Sequence, residues 1–332
     1  GRQPRYLPRP EPRRLGNTFS YRVHRAQTRF IRQPYPQEPT KTQLNVPRTN
    51  GLGSVSGASG ASTPTTEAEC ITPLPNGIAS PTTELPKVAP SPVGESGTAM
   101  KYSKEFQEMF APAAVKEQAD LYDGFVYMPM HLMKRFGKWD DILAFPEYPE
   151  AFVLSRALRH GERAIAYSAK GMLEEAEAER ALFMAAKVKV PAAMIAGNNK
   201  GIDVLSVEEH QVNGELLFQA GKQAEGLAEL RLAVVAEDAL KYNEPPDWIQ
   251  PTRHTLGAAL VDAGQFEEAE HVYREDLKKL PNNGWSLLGL SRALAGEGKA
   301  AEAGKYQKLY AKAWKKADFK PTSSCMCLPA KK

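Results

Sequence analysis

The chain contains 332 residues, of which 42% are hydrophobic and 25% are charged, and its formal net charge is +4. The positive charge lies in residues 1–50, which carry eleven basic residues against two glutamates, so the rest of the chain is net negative. Three cysteines cannot build a disulfide framework and fit a reducing, cytoplasmic location. No apolar run approaches the ~20 residues that cross a bilayer.

Residues 1–99 are predicted to be disordered, first basic and then rich in Pro, Ser and Gly. The stretch 51–97 carries too little apolar surface to offset the entropy lost on ordering. Residues 14–33 lack proline, and their arginines and apolar residues recur at helical spacing on two separate stripes. Three interpretations stay open for this segment: a mitochondrial or plastid presequence, an arm for nucleic acid or a membrane surface, and a solvated tail.

From Lys101 onward the chain is rich in Ala, Leu, Glu and Lys, which favour helices. Only the short pieces 187–191 and 202–205 are rich in β-branched residues, and we expect them to be loops or helix ends. The composition therefore predicts an all-α domain over residues 100–327.

A repeat of 34 residues is present near the C-terminal end of this domain. Four residues recur at that interval with identical internal spacing, namely Leu256, Leu260, Gly264 and Ala269, which return as Leu290, Leu294, Gly298 and Ala303. A fixed period of this length is typical of stacked helical hairpins. Small residues permit two helices to approach closely, and Pro281 ends the second helix because proline cannot continue a helix interior.

The unit 250–283 resembles a tetratricopeptide repeat (TPR), with Leu256, Gly257, Ala269 and Tyr273 at signature positions. The chain also resembles a group of uncharacterised bacterial-type TPR proteins over residues 101–327. The resemblance implies a right-handed α-solenoid and no known activity. Arg253 and Asp276 depart from the usual residues of the repeat.

Glycines at the expected turns extend the repeat upstream. They lie 34, 50, 43 and 34 residues apart, and they are Gly137, Gly171, Gly221, Gly264 and Gly298. This pattern predicts about five hairpins, with insertions near 187–203 and 241–250. We expect Trp248, in the second insertion, to be buried between hairpins rather than to anchor a partner.

No motif for nucleotide binding, metal-dependent hydrolysis or nucleophilic catalysis occurs in the sequence. The six histidines are isolated, and the Cys325–Cys327 pair lacks the second pair that a structural zinc site uses. We therefore predict no catalytic residue, no cofactor and no metal site, and the role of the two cysteines stays open.

The resemblance to TPR proteins implies a concave groove lined by the first helix of each hairpin. Its candidate residues, carried over by repeat position, are Tyr127, His131, Lys134, Glu208, Gln211, Glu215, His254, Asp262, Trp285 and Arg292. This mixture of aromatic and charged groups suits a peptide or a helix. The Lys/Asn/Arg clamp of heat-shock cochaperones is missing at the corresponding positions.

The sequence thus favours a non-catalytic scaffold that binds a protein or peptide partner. Two alternatives stay open: a small-molecule sensor or enzyme accessory subunit that uses the same groove, and association with nucleic acid or a membrane surface through the Arg-rich arm.

Overall fold

Helices make up nearly all of the regular structure in the computed structural model, which describes residues 94–110, 119–243 and 246–328. These residues belong to a single unit of the chain. The all-α, TPR-like prediction is confirmed for this part of the protein. The predicted disorder of residues 1–99 and the helix over 14–33 fall, up to residue 93, outside the described residues. The first helix begins at Ser96, slightly before the predicted domain boundary.

Twelve helices occur in the described ranges. In chain order they are α1 (Ser96–Phe110), α2 (Ala119–Val126), α3 (Met128–Arg135), α4 (Trp139–Leu143), α5 (Val153–Ala169), α6 (Leu173–Lys187), α7 (Gly201–Gln219), α8 (Gln223–Asp238), α9 (Thr252–Asp262), α10 (Phe266–Lys279), α11 (Gly284–Gly296) and α12 (Ala300–Ala313). None of them is long and apolar enough to span a membrane.

Five antiparallel hairpins follow from these helices, namely α3/α4, α5/α6, α7/α8, α9/α10 and α11/α12. The glycine predicted at each turn adopts a positive φ, between 65° and 82°. This left-handed conformation carries little penalty for glycine only, and it lets the chain reverse directly after the first helix. The prediction of five hairpins is therefore confirmed.

The insertion between α6 and α7 forms a short antiparallel pair, β1 (Ile195–Ala196) and β2 (Asn199–Lys200). Residues 202–205 belong to α7, as expected of a helix end. The pair is tied to the second insertion, because the Asn199 side chain donates to the carbonyl of Lys241 at 3.0 Å and to the Asp247 carboxylate at 2.6 Å.

Hairpins pack closely where side chains are small. Tyr273 of α10 lies against Gly257 of α9 and Gly289 of α11, and a Cβ at either glycine would fall within 2.4 Å of the tyrosine ring. Consecutive hairpins also share contacts between the second helix of one and the first helix of the next. The core therefore runs continuously from α5 to α12.

The first hairpin departs from this regular pattern. Helix α4 ends at Leu143, ahead of Pro146 and Pro149, so the second helix of this hairpin is short. Helix α3 is buried along its whole length, which a terminal repeat does not require. The preceding helix α2 places Asp123 at the start of α5, where its carboxylate accepts hydrogen bonds from two backbone N–H groups.

Candidate functional site

The candidate site is the first-helix face, which we define as the side of α5, α7, α9 and α11 that carries Glu162, Glu208, Gln211, Glu215, His254, Thr255 and Arg292. Two segments of the same chain cover this face. One is helix α3, and the other is the C-terminal segment, residues 318–328, which follows α12.

Helix α3 contributes a buried ammonium group to the face. Lys134 Nζ lies 2.6 Å from Glu162 Oε1 and 3.8 Å from Glu208 Oε2, and all three side chains are inaccessible to solvent. His131 Nε2 lies 3.3 Å from the same Glu162 oxygen. The Trp248 ring closes the cluster, with Lys134 Nζ 4.9 Å from its centroid. Trp248 is therefore buried, as predicted, although its partners lie on α3.

More carboxyl groups than cations occupy this interior, and burial raises the pKa values of Glu162 and Glu208. Burial raises the pKa of Glu215 to about 7. Burial opposes a charge on Lys134, but the three carboxylates outweigh it and raise the pKa of the ammonium group. Burial and the neighbouring Lys134 lower the pKa of His131. The cluster consequently holds a charged lysine, a neutral histidine and carboxyl groups that retain protons more strongly than in water.

Arg135, which follows Lys134 on α3, contacts the fourth and fifth hairpins. Arg135 Nη1 lies 2.6 Å from His254 Nδ1, and its guanidinium stacks 4.2 Å from the centroid of the Trp285 ring. His254 Nε2 lies 3.0 Å from Asp276 Oδ2. Burial lowers the pKa of His254, so the ring is neutral, accepts from Arg135 at Nδ1 and donates to Asp276 from Nε2.

The C-terminal segment lies along the same face and is held through both side-chain and main-chain groups. Ser324 Oγ donates to the carbonyl of His254 at 2.8 Å and accepts from the Tyr273 hydroxyl at 2.6 Å. Gln219 donates to the carbonyl of Cys327 at 3.2 Å, and Arg292 donates to the carbonyl of Thr322. Helices α7, α9, α10 and α11 therefore each contribute a hydrogen bond.

The end of this segment is the best-buried part. Cys325, Cys327 and Leu328 are each 5% exposed or less, and the two cysteines are joined in a disulfide. Thr255 Oγ1 lies 3.4 Å from Cys325 Sγ, and Gln250 Nε2 lies 3.6 Å from it. The Cys325–Cys327 pair, which has no other cysteine near it in the sequence, thus contacts polar side chains from α9 and the preceding loop.

Most of the predicted groove residues are buried beneath other parts of the chain. Eight are buried: Tyr127, His131, Lys134, Glu208, Gln211, Glu215, His254 and Trp285. Asp262 is half-buried and Arg292 is exposed. The predicted residues of the third, fourth and fifth hairpins lie on α7, α9 and α11, whereas His131 and Lys134 of the first hairpin lie on α3. Helix α3 contributes the cover of this face, and its residues are not part of an open lining.

Sequence reasoning missed several members of the face. Glu162 stands nine residues before its turn glycine, as Thr255 does before Gly264, so the same register extended to the second hairpin would have found it. Arg135 and Gln250 had no such signal, because each meets its partners only through the tertiary fold.

The fold and the site define a class, the TPR-like helical-repeat proteins. Among solved structures the chain is similar to a candidate kinesin light chain of Podosopora anserina with nearly identical TPR-like repeats, at 17% identity and a TM-score of 0.35. A single-substitution variant of that protein gives 18% and 0.36. Both comparisons cover 64% of this chain and 92% of the other. No protein-family model and no curated protein matches the sequence.

Proposed function

We propose that this protein is a non-catalytic scaffold whose first-helix face binds a peptide segment. One observation carries the proposal: the C-terminal segment lies on that face as a non-helical stretch with several bends and is hydrogen-bonded to it. The chain itself therefore supplies an example of the ligand, and a protein partner would offer a segment of similar chemistry in its place.

The chemistry of the contacts supports a peptide as the ligand. Gln219 and Arg292 donate to main-chain carbonyl groups, which every peptide carries, whereas Cys325 and Leu328 fill the interior with side chains. Main-chain hydrogen bonds provide affinity and the side-chain pockets provide selectivity. Among the predicted groove residues, Arg292 is the most exposed, so it is the most informative position for a substitution.

The face open to a partner is narrower than the predicted groove. Helix α3 covers Glu162, Glu208 and the first turns of α7 through buried ion pairs, and these contacts belong to the folded core. The C-terminal segment covers Thr255, Tyr273 and the end of α7 through neutral hydrogen bonds. Replacing the C-terminal segment by a partner would disturb less of the core than displacing helix α3. We therefore assign partner binding to the part of the first-helix face that the C-terminal segment covers.

The test uses the chain truncated after residue 317 and a fluorescent peptide with the sequence of residues 318–328. We expect saturable binding in fluorescence anisotropy, and we expect Arg292→Glu to weaken it because the variant replaces a donor by a carboxylate that repels the Thr322 carbonyl. A matched control is Arg180→Glu, which changes the same charge on the outer helix α6.

Circular dichroism decides whether the truncated chain is folded. Binding that is equally strong in the Arg292→Glu and Arg180→Glu variants would contradict the assigned face. A truncated chain that is fully helical and binds no peptide would contradict the function itself.

Three finer statements remain predictions: the likeness to bacterial-type TPR proteins, the cytoplasmic location with its organellar alternative, and any role of the Arg-rich arm. The last two depend on residues 14–33, which lie outside the described part of the chain. A small-molecule ligand in the same groove also stays a prediction, and a surface pocket of about 480 Å³ lies among α6, α7 and α8.

A further inference from the structure

Three potential metal ligands converge where the C-terminal segment meets helix α7. A carboxylate oxygen of Glu215 and the sulfur atoms of Cys325 and Cys327 all lie within 4.8 Å of one another. All three residues are at most 2% exposed. The two cysteines are separated from Glu215 by more than one hundred residues, so only the seating of the C-terminal segment brings this donor set together.

Hydrogen-bond donors surround one of the two sulfur atoms. Cys325 Sγ accepts from the backbone N–H of Cys327 at 3.3 Å, from the Thr255 hydroxyl at 3.4 Å and from the Gln250 amide at 3.6 Å. Hydrogen-bond donors of this kind stabilise the charged form of a sulfur ligand and orient it, as outer-shell partners do around bound metals.

The carboxyl group of Glu215 also lacks a hydrogen-bond partner at one of its two oxygens. Its Oε1 accepts from the Gln211 amide at 2.9 Å, while its Oε2 is buried and has no hydrogen-bond partner among the described residues. A buried carboxylate oxygen without a partner is costly, and a cation is one of the few groups that offsets the cost. The unpartnered Glu215 oxygen and the two sulfur atoms together indicate a site for a cation.

We propose that Glu215, Cys325 and Cys327 bind one zinc ion when the two cysteines are reduced. Zinc accepts thiolate and carboxylate ligands together in tetrahedral geometry, with distances of about 2.3 Å to sulfur and about 2.1 Å to oxygen. The carboxylate favours zinc over monovalent copper, because copper(I) selects soft ligands alone. A fourth position is left for water or for the Gln250 carbonyl, which has no partner among the described residues.

Reduction must precede binding, since the two sulfurs form a disulfide in this structure. A dithiol reductant supplies two electrons and two protons, the S–S bond breaks, and the reductant leaves as its own disulfide. Zinc then replaces the two thiol protons and any proton that Glu215 holds, and these protons are released to solvent. Tetrahedral coordination places the sulfurs about 3.8 Å apart, and the 5.4 Å separation of the two Cα atoms allows this by rotation of the side chains.

Two thiolates and one carboxylate carry three negative charges and zinc carries two positive charges, so the zinc-bound site keeps one negative charge. The ammonium group of Lys134, which also faces Glu162 and Glu208, acts on Glu215 through space.

A second group of potential ligands, His131, Glu162 and Glu208, lies nearby and is also buried. There the Lys134 ammonium already lies 2.6 Å from Glu162 and within 4 Å of Glu208. The lysine occupies the place of a cation, so we assign zinc to the cysteine-containing group and not to this one.

Zinc binding goes beyond the proposed function and does not depend on it. The ion would join α7 to the C-terminal segment, so it would fasten that segment on the first-helix face. Removal of zinc or oxidation of the thiols would break this link, because the disulfide joins the two cysteines only to each other and leaves Glu215 out.

The test uses the full chain reduced with a trialkylphosphine, which leaves no dithiol to compete for the metal. Zinc is titrated against a chromogenic chelator, and cobalt(II) serves as a spectroscopic substitute. We expect one equivalent of zinc, and near-ultraviolet thiolate-to-cobalt absorption with the intense visible bands of a tetrahedral site. Cys325→Ser, Cys327→Ser and Glu215→Gln should each weaken zinc binding by about tenfold or more.

Matched controls are Cys70→Ser, which removes the third cysteine of the chain, and Glu174→Gln, which changes an exposed carboxylate. Both should bind zinc as the unaltered chain does. The oxidised chain provides a further comparison without any substitution, and it should bind no zinc. Thermal unfolding of each variant establishes that it is folded, and zinc should raise the unfolding temperature of the reduced chain and not of the Cys325→Ser variant.

Zinc binding that persists in both cysteine variants, or in the oxidised chain, would overturn the proposal. A reduced, folded chain that binds no zinc would also overturn it, and the cysteine pair would then act only as a disulfide. Unchanged zinc affinity in a folded Glu215→Gln variant would show that the carboxylate is not a ligand. That result would overturn the three-ligand site proposed here.

Discussion

The pKa of Glu208 shows how strongly burial changes the properties of a single carboxyl group. Its carboxyl group is fully buried, 3.8 Å from Lys134 Nζ, and Glu162 and Glu215 act on it through space. Burial raises its pKa well above the ordinary value of 4.5, the neighbouring carboxylates add to the rise, and Lys134 opposes it. The folded chain therefore holds a proton that the unfolded chain releases.

Stability should consequently fall as the pH rises above about 4.5, because the unfolded state then binds fewer protons than the folded state. One such proton changes the free energy of unfolding by about 1.4 kcal/mol per pH unit. Glu208→Gln keeps the shape and cannot ionise, so we expect a smaller loss of stability between about pH 5 and about pH 8. Urea unfolding with a chelator present measures this difference.

The exposed substitution Glu174→Gln serves as the control for the change from carboxyl to amide. Glu162 and Glu215 still ionise in the Glu208→Gln variant, so part of the pH dependence should remain. Parallel stability profiles for the unaltered chain and Glu208→Gln would show that Glu208 titrates normally in the folded state.

At the scale of elements, the stacking of the last two hairpins depends on one aromatic ring between two glycines. A Cβ at Gly289 would lie 2.1 Å from Tyr273 Cζ, and one at Gly257 would lie 2.4 Å from it. Tyr273 cannot retreat, because its hydroxyl is bonded to Ser324 of the C-terminal segment. The spacing of α9, α10 and α11 is thus determined by this ring.

We expect Gly289→Ala to lower the free energy of unfolding by about 1–3 kcal/mol through overpacking against Tyr273. Gly304→Ala is the matched control, since nothing lies within 4 Å of the added methyl group on α12. There alanine should stabilise the helix by roughly 0.5–1 kcal/mol. Urea unfolding of both variants measures the contrast, and a shift of the same sign in both would refute the packing role of Tyr273.

For the molecule as described, helix α3 and the C-terminal segment connect hairpins that are distant along the chain. Repeat units ordinarily contact only their neighbours, and such arrays unfold in parts. Here Lys134 reaches α5 and α7, while Arg135 reaches His254 of α9 and Trp285 of α11. We therefore expect the second to the fifth hairpins to unfold as one unit.

Arg135→Lys tests this connection, because lysine keeps the charge but cannot stack on Trp285 and donate to His254 at once. We expect a loss of about 2 kcal/mol or more, since a buried network loses a partner. The same substitution at half-exposed Arg274, which pairs with Glu270 and Glu302, should cost less than about 1 kcal/mol. Equal effects in urea unfolding would argue against a connecting role for α3.

Features that depend on neighbours along the chain could be predicted from the residues alone. The 34-residue period, the five turn glycines and the helix end before Pro281 all describe local backbone geometry, and each is found in the structure. Such patterns are readable because a turn or a helix end is set by the few residues that form it.

Only the tertiary structure decided which polar residues are covered. His254 meets Arg135 across 119 positions of sequence, and Gln219 meets Cys327 across 108. The repeat register places a side chain on the first-helix face, but it carries no information about a segment that lies on that face. The cover depends on long-range packing, so the buried carboxyl cluster and the site beside the two cysteines emerged from the fold alone.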